Sequence, residues 1–473
     1  MANSSLTLSR SSFSNNSAST AGGAVLVLDS AQVSCSGRCN FSSNSAALGG
    51  AIAVQSGSVS LSDAVLGGNY ASAGLVTVMF GNSQQRAGSG GAVFAANATL
   101  KLSRSILQGN RAEVQGGALQ LLSTAAVLTA TRLINNMAAP ASAQHSTGPA
   151  AAAAIQADPT AGGAILVGLL PPAAAAASTN SSSSKPKAHL TLHDCVLSSN
   201  MAGFGGAIAA VDTAVSLEAG AAAAAAAQGV RSAGRADTPL SILLAGCSVS
   251  NNSAAVAGGG VFTNLRSTSL TLNSIKVTGN TAAQGGGGIA AVTPASLQLA
   301  SSSVSSNTAS YCAGLLLDSP ALKSVLHSSS FERNTAGQQS VDGRSFGQLP
   351  QWNSTGSGGG LCIIPGGPVA ITKSRITQNT ALFGGEAGDV GDAVAKRCCS
   401  SIWWVCLLSA LVCLPAACNM YVMPSSCNIQ LTNKCVETLS TDPLPHLPAC
   451  VCVCCCSWYV CAGLCVPCWQ ASC

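Results

Sequence analysis

The chain has 473 residues, of which 8% are charged, 4% aromatic and 47% hydrophobic, with a formal net charge of +5. Disordered chains combine low hydrophobicity with high charge, so this composition excludes them. The 21 Lys and Arg residues are scattered without a run, which leaves a nucleic-acid footprint unsupported.

One pattern recurs from the first residues onward: an apolar residue, two small or polar ones, then Asn. It runs Phe13…Asn16, Phe41…Asn44, Leu66…Asn69, Leu107…Asn110, Leu133…Asn136 and Leu197…Asn200. It continues as Val249…Asn252, Val277…Asn280, Val304…Asn307, Phe331…Asn334 and Ile376…Asn379. A Gly pair follows in most copies, as at Gly22-Gly23, Gly49-Gly50, Gly116-Gly117, Gly205-Gly206 and Gly258-Gly259. Such a period marks a solenoid, in which each repeat packs only on its neighbours.

Three alternating segments fill each repeat. The first places apolar residues ten and eight positions before the Asn, as in Leu100 and Leu102 or Leu270 and Leu272. The second holds the apolar residue three before the Asn. The third follows the Gly pair, as in Ile52 and Val54 or Ile165 and Val167. Period-2 alternation puts these side chains on one buried face. The expected fold is all-β: a right-handed parallel β-helix of about eleven coils of 25–28 residues, spanning residues 1–390. The repeat Asn and the Gly pair are expected to supply left-handed corners. The stacked Asn side chains are expected to bond from coil to coil.

Insertions rich in Ala, Ser, Pro and Gly break the spacing at 70–89, 137–161, 168–188, 212–238 and 335–357. They read as surface loops of low complexity. No secretory signal is visible after Met1, and the N-terminus is expected to be truncated. Beyond Lys396-Arg397 the composition changes: sixteen of the 22 cysteines lie in a hydrophobic tail, 391–473. Within it, 401–418 is a minimal membrane-span candidate. An anchor, a disulfide knot and read-through of non-coding sequence all remain open for the tail.

The acids and histidines of the sequence fall into no familiar catalytic pattern. Asp29, Asp63, Asp158, Asp194, Asp212, Asp237 and Asp318 form no adjacent pair, whereas glycoside hydrolysis needs two carboxylates facing one bond. The histidines, His145, His189, His193, His327 and His446, show no metal spacing. The pairs Cys452/Cys455 and Cys465/Cys468 mimic a zinc spacing, but cysteine is dense enough there for chance. No metal and no cofactor are expected. Cys39, Cys195 and Cys247 each lie five residues before a repeat Asn, where most coils carry Ser, Thr or Ala. Cys195 and Cys247 fall in consecutive coils and should stack as free thiols. Cys35 and Cys39 could close a small surface loop in an oxidising compartment. Asn-x-Ser/Thr sequons occur at Asn3, Asn15, Asn40, Asn97, Asn180, Asn251 and Asn353.

The pairing of Phe41-Ser42-Ser43-Asn44 with Gly49-Gly50-Ala51-Ile52 resembles the repeats of the polymorphic outer membrane proteins. It returns in relaxed form as Leu197 to Asn200 with Gly205 to Ile208, and the resemblance covers about residues 6–390. It implies a β-helical passenger displayed at the cell surface with an adhesive role. The family's signal peptide and C-terminal β-barrel have no counterpart pattern in this sequence. The expected function is therefore a non-catalytic extracellular or cell-surface scaffold whose partner is a surface glycan or protein. The rivals are a carbohydrate-active β-helix enzyme and a fragmentary gene product.

Overall fold

A computed structural model describes residues 4–73, 77–80, 83–140, 160–169, 188–211, 240–337, 358–364, 366–381 and 420–422. Most of the insertions at 137–161, 168–188, 212–238 and 335–357 lie outside the described residues. So does nearly all of the tail 391–473, including 401–418 and the Cys452/Cys455 and Cys465/Cys468 pairs.

The described residues wind into a right-handed parallel β-helix of eleven coils, and each full coil contributes to four parallel sheets. In chain order within a coil, the first sheet runs from Ser5–Ser9 to Val369–Thr372, and the second from Ser12–Ser14 to Arg375–Thr377. The third runs from Ser45–Ala46 to Thr380–Ala381, and the fourth from Val25–Val27 to Leu361–Ile364. Met420–Val422 adds an antiparallel edge to the first sheet. The alternation expected three strands per coil. The third sheet is an addition, made of pieces mostly two residues long, such as Arg111–Ala112 and Thr281–Ala282. Two residues cannot display a period, so no pattern announces them.

Register holds from coil to coil. In the first sheet Leu61 pairs with Leu102, Leu102 with Leu128, Leu128 with Leu192 and Leu192 with Leu244. In the second sheet Phe41 pairs with Leu66, Leu66 with Leu107 and Leu107 with Leu133. These columns fill the lumen, where Leu61, Leu102, Leu192, Phe41 and Leu107 are all buried. Each large aliphatic or aromatic side chain so buried contributes roughly 1.5–3 kcal/mol. A one-residue slip would turn a whole column outward, so the pattern pins the register.

Four insertion boundaries move. Tyr70–Ala71, Met137–Ala138 and Thr335–Ala336 are strands of the third sheet, and Gly168 ends the fourth-sheet strand Ile165–Gly168. Thr77–Phe80 and Ser83–Arg86 form an antiparallel hairpin inside the stretch read as a low-complexity loop. The two residues after each repeat Asn belong to the coil because their backbones complete the ladder around the corner.

The fourth sheet departs from one-sided burial. Strands such as Val93–Ala96, Leu119–Leu122 and Ile165–Gly168 are buried at every position. Their outward residues, among them Ala53, Phe94, Leu166, Phe262 and Leu316, lie beneath the segment that connects the third sheet to the Gly pair. Leu48, Ala87, Ala161 and Tyr311 from that segment complete a second apolar layer outside the lumen. Isolated parallel bridges link the covering segments, from Ala21 through Leu48, Ser89, Gln115 and Ala161 to Phe204.

The Gly pair permits this overlay through two different requirements. The first glycine is left-handed, with φ 59° at Gly49. The second presses on backbone: a Cβ on Gly50 would lie 2.3 Å from the Gly91 carbonyl oxygen and 2.6 Å from the Tyr70 nitrogen. In the ninth coil Cys312 occupies the left-handed place, at φ 52°. It forms a disulfide with Cys362 on the outward column of the next coil, with Cα atoms 5.4 Å apart.

Candidate functional site: the corner between the first and second sheets

The repeat asparagines form a continuous ladder on the inner side of the next corner. Each Asn from Asn16 to Asn334 donates from its backbone N–H and its Nδ2 to the Oδ1 of the next, at 2.8–3.1 Å. The Nδ2 of each Asn from Asn44 to Asn379 also donates to the carbonyl of the apolar residue in the preceding coil, as Asn69 does to Phe41 at 2.9 Å. Asn44, Asn69, Asn110, Asn136, Asn200, Asn252, Asn280, Asn307 and Asn334 are at most 1% exposed. Asn16 and Asn379 end the row, Asn16 exposed and Asn379 8% exposed. A buried amide must have its partners supplied by the protein, and here neighbouring coils supply them all.

The left-handed residue of this corner is not the ladder Asn, as expected, but the residue before it. Asn15, Ser43, Gly68, Gly109, Asn135, Ser199, Asn251, Gly279, Ser306, Arg333 and Gln378 all have φ between 53° and 66°. The ladder Asn itself is outside the left-handed region, and its backbone N–H and its side chain both bond to the next coil. Only three of these eleven are glycine, because the ladder bonds hold the others in a conformation that costs an L-residue roughly 1–2 kcal/mol.

Five residues earlier lies a second row, which turns the chain from the first sheet to the second. Hydroxyls of Ser105, Thr131, Ser302, Ser329 and Ser374 donate to the carbonyl two residues before, at 2.6–3.1 Å. Cys195 and Cys247 occupy the same row and repeat the bond with sulfur, Cys195 to His193 at 3.2 Å and Cys247 to Ala245 at 3.3 Å. Both are free and buried. The adjacent Cys247 sulfur and burial together push the Cys195 thiol well above the usual range. Cys39, in the same row, is bonded to Cys35, with Cα atoms 6.3 Å apart. The sulfurs face the lumen core instead of a surface loop, because both residues sit on inward columns. His189 and His193 are half-buried at the flanks of a strand whose Leu190 and Leu192 fill the core.

Outside this turn, coils eight to eleven form a shallow trough. It is lined by Ser274 and Lys276, then Ser301 and Ser303, then Ser328 and Ser330, and closed by Lys373 and Arg375. At about 4.8 Å per coil, the floor runs about 14 Å along the axis. Ser302 and Ser329 point inward in the hydroxyl row, which leaves the outer serines to face solvent. Lys276 and Lys373 are exposed, and Arg375, itself exposed, lies 3.8 Å from the half-buried Glu332. Farther up the same corner, Arg104 donates from Nε and Nη2 to the two oxygens of Asp63, at 2.9 and 2.7 Å. The Arg104 bond, helped by Ser62, holds the Asp63 carboxyl below its ordinary range. Reading the columns would have found the trough. Triple serines recur in register before Asn307 and Asn334, and cations stand at the matching places before Asn280 and Asn379.

Among the described residues, no group of three or more His, Cys, Asp and Glu side chains could hold a metal ion. No helix long and apolar enough to cross a membrane occurs among the described residues, a statement that does not bear on β-barrels.

The fold and its ladders define the class: a right-handed parallel β-helix repeat protein, closed by buried asparagines. Residues 10–27, which span the first-coil turn, the Phe13…Asn16 signature and the Gly22-Gly23 pair, match the family described as the Chlamydia polymorphic membrane protein (Chlamydia_PMP) repeat. No curated protein and no solved structure matches the chain.

Proposed function

We propose that the chain is a non-catalytic scaffold of the cell surface or extracellular matrix, which binds a glycan or protein and thereby serves adhesion. The observation that carries this reading is the trough over coils eight to eleven. It is a rigid row of outward hydroxyls bracketed by Lys276, Lys373 and Arg375. Hydroxyls in fixed register offer donors and acceptors to a chain of sugar hydroxyls, and the three cations favour carboxylate or sulfate groups at either end. A rigid platform loses little entropy on binding.

A carbohydrate-active enzyme is the second reading, since acids do recur on the solenoid. Asp63 and Asp194 share one corner column three coils apart, about 14 Å at 4.8 Å per coil. Paired carboxylates of glycoside hydrolases lie roughly 5–9.5 Å apart, and Asp63 is engaged by Arg104. This spacing favours binding over turnover.

The test presents the purified chain to immobilised glycans and to cell surfaces, beside a variant with Lys276→Ala, Lys373→Ala and Arg375→Ala. Retention of the wild type, with at least about tenfold weaker binding by the variant (about 1.4 kcal/mol), is expected. Equal binding by both would remove the trough from the account. Failure of the wild type on every surface, or release of reducing ends from a polysaccharide, would overturn the scaffold reading.

A further inference from the structure

Two asparagines stand side by side at the corner after the second sheet in the seventh coil, and their surroundings differ completely. Asn252 is 1% exposed and fully engaged in the ladder. Asn251, immediately before it, has φ 55° and is exposed. We infer that Asn251 is an N-glycosylation site, modified in an oxidising secretory compartment.

Sequence frame and geometry agree on this residue. Transfer requires Asn-x-Ser/Thr with an accessible carboxamide. The ladder asparagines never present that frame. Where Ser or Thr follows a ladder Asn, it follows at once and Ala comes next, as in Asn44-Ser45-Ala46, Asn280-Thr281-Ala282 and Asn334-Thr335-Ala336. The hydroxyl that completes a third-sheet strand is therefore one residue too early for the buried Asn. It is in frame for the residue before it, and Asn251-Asn252-Ser253 is such a triplet. The repeat thus keeps the ladder out of frame and puts the outward corner in it.

The other described sequons are less suited. Asn40 is half-buried and donates its Nδ2 to Ser42, the hydroxyl of its own sequon, at 3.3 Å. Asn97 is half-buried where the fourth sheet turns into the first. Asn15 has the same frame as Asn251, but it belongs to the first coil, where Asn16 is itself exposed. Beside Asn251 the next coil has Gly279 at the equivalent place, and a Cβ there would lie 2.5 Å from the Asn251 Oδ1, so the glycine leaves room for the Asn251 side chain. Two disulfides, Cys35–Cys39 and Cys312–Cys362, independently fit the compartment in which such transfer occurs.

In the reaction a lipid-linked oligosaccharide is the donor. A bond forms between Nδ2 of Asn251 and the anomeric carbon of the first sugar. The bond from that carbon to the lipid phosphate breaks, the phosphate leaves with the electron pair, and Nδ2 loses one proton. No oxidant or reductant is involved. The glycan would project from the corner flanking the second sheet and shield it from proteases.

The experiment takes the full chain from its native source and treats it with an amidase that removes N-linked glycans and converts the acceptor Asn to Asp. Peptide mass mapping is expected to find Asp at 251 and Asn at 252. Recovery of the Asn251 peptide from untreated protein wholly without sugar would overturn the proposal, as would modification at Asn252. Asn251→Gln supplies the control. Gln378 holds the same left-handed place in the last coil, at φ 56°, so the variant is expected to keep its melting curve and lose one glycan in mass. An unchanged mass would also overturn the proposal. Neither readout depends on ligand binding at the trough, so this inference and the adhesive reading fail separately.

Discussion

The lumen and the layer outside the fourth sheet are both apolar and buried, yet they are built on different logics. The lumen repeats: Leu, Val and Ile recur in columns, and the Asn row satisfies every amide from the neighbouring coil. The outer layer does not repeat. Its column reads Ala53, Phe94, Gln120, Leu166, Ala209, Phe262, Ala290, Leu316 and Cys362. It is patched locally, by a Gln120–Gln115 bond at 2.8 Å in one place and a disulfide in another. A periodic core is specified by each coil alone. An aperiodic one depends on which connecting segment folds back over it.

That contrast sets the order of expected effects. Leu272→Asp puts an unpaired charge into a lumen column and should cost more than about 4 kcal/mol. Loss of the cooperative melt over the eighth and adjacent coils is expected in hydrogen exchange, and a wild-type melting curve would show the column is not the core. Asn200→Ala removes the acceptor for the Asn136 N–H and Nδ2 and the donor to the Leu133 carbonyl. Leaving two buried donors unmet should cost about 3 kcal/mol, read as a shift in the denaturation midpoint. A change under about 0.5 kcal/mol would mean that the ladder relaxes freely.

In the outer layer the sign reverses. Burial pushes the Asp318 carboxyl up from its ordinary value, against a bond from Ser319. A raised folded-state pKa favours folding below the unfolded value near 3.8, and this contribution is lost as pH rises through the folded one. Asp318→Asn should therefore raise the melting temperature at neutral pH, with the gain vanishing below pH 3.8. A gain that persists in acid would point to packing instead of charge. The smallest effect belongs to Cys247→Ser, which substitutes the hydroxyl that other coils carry in that row. It should change stability by less than about 1 kcal/mol, and a larger loss in chemical denaturation would give the thiol a role beyond the turn bond.

Much of the fold was legible because a solenoid writes its lumen into every coil. The Phe41…Asn44 spacing, the alternation at Leu270 and Leu272 and the Gly pairs specify parallel stacking through short-range chemistry. The trough was harder to see. Lys276, Ser301, Ser328 and Arg375 are far apart in sequence and unremarkable singly, and they form a surface only when coils are laid in register. The left-handed place was assigned one residue late, because composition shows which residues tolerate such a corner and not which one turns it.

The sequence by itself determined the coil count, the lumen columns and the row of asparagines, since each follows from a period that local steric and hydrophobic rules enforce. Tertiary structure alone decided the third sheet, the second apolar layer and the pairing of Cys312 with Cys362. The physical reason is that these depend on contacts between coils and on a connecting segment folding back over a sheet, and neither leaves a period in the chain.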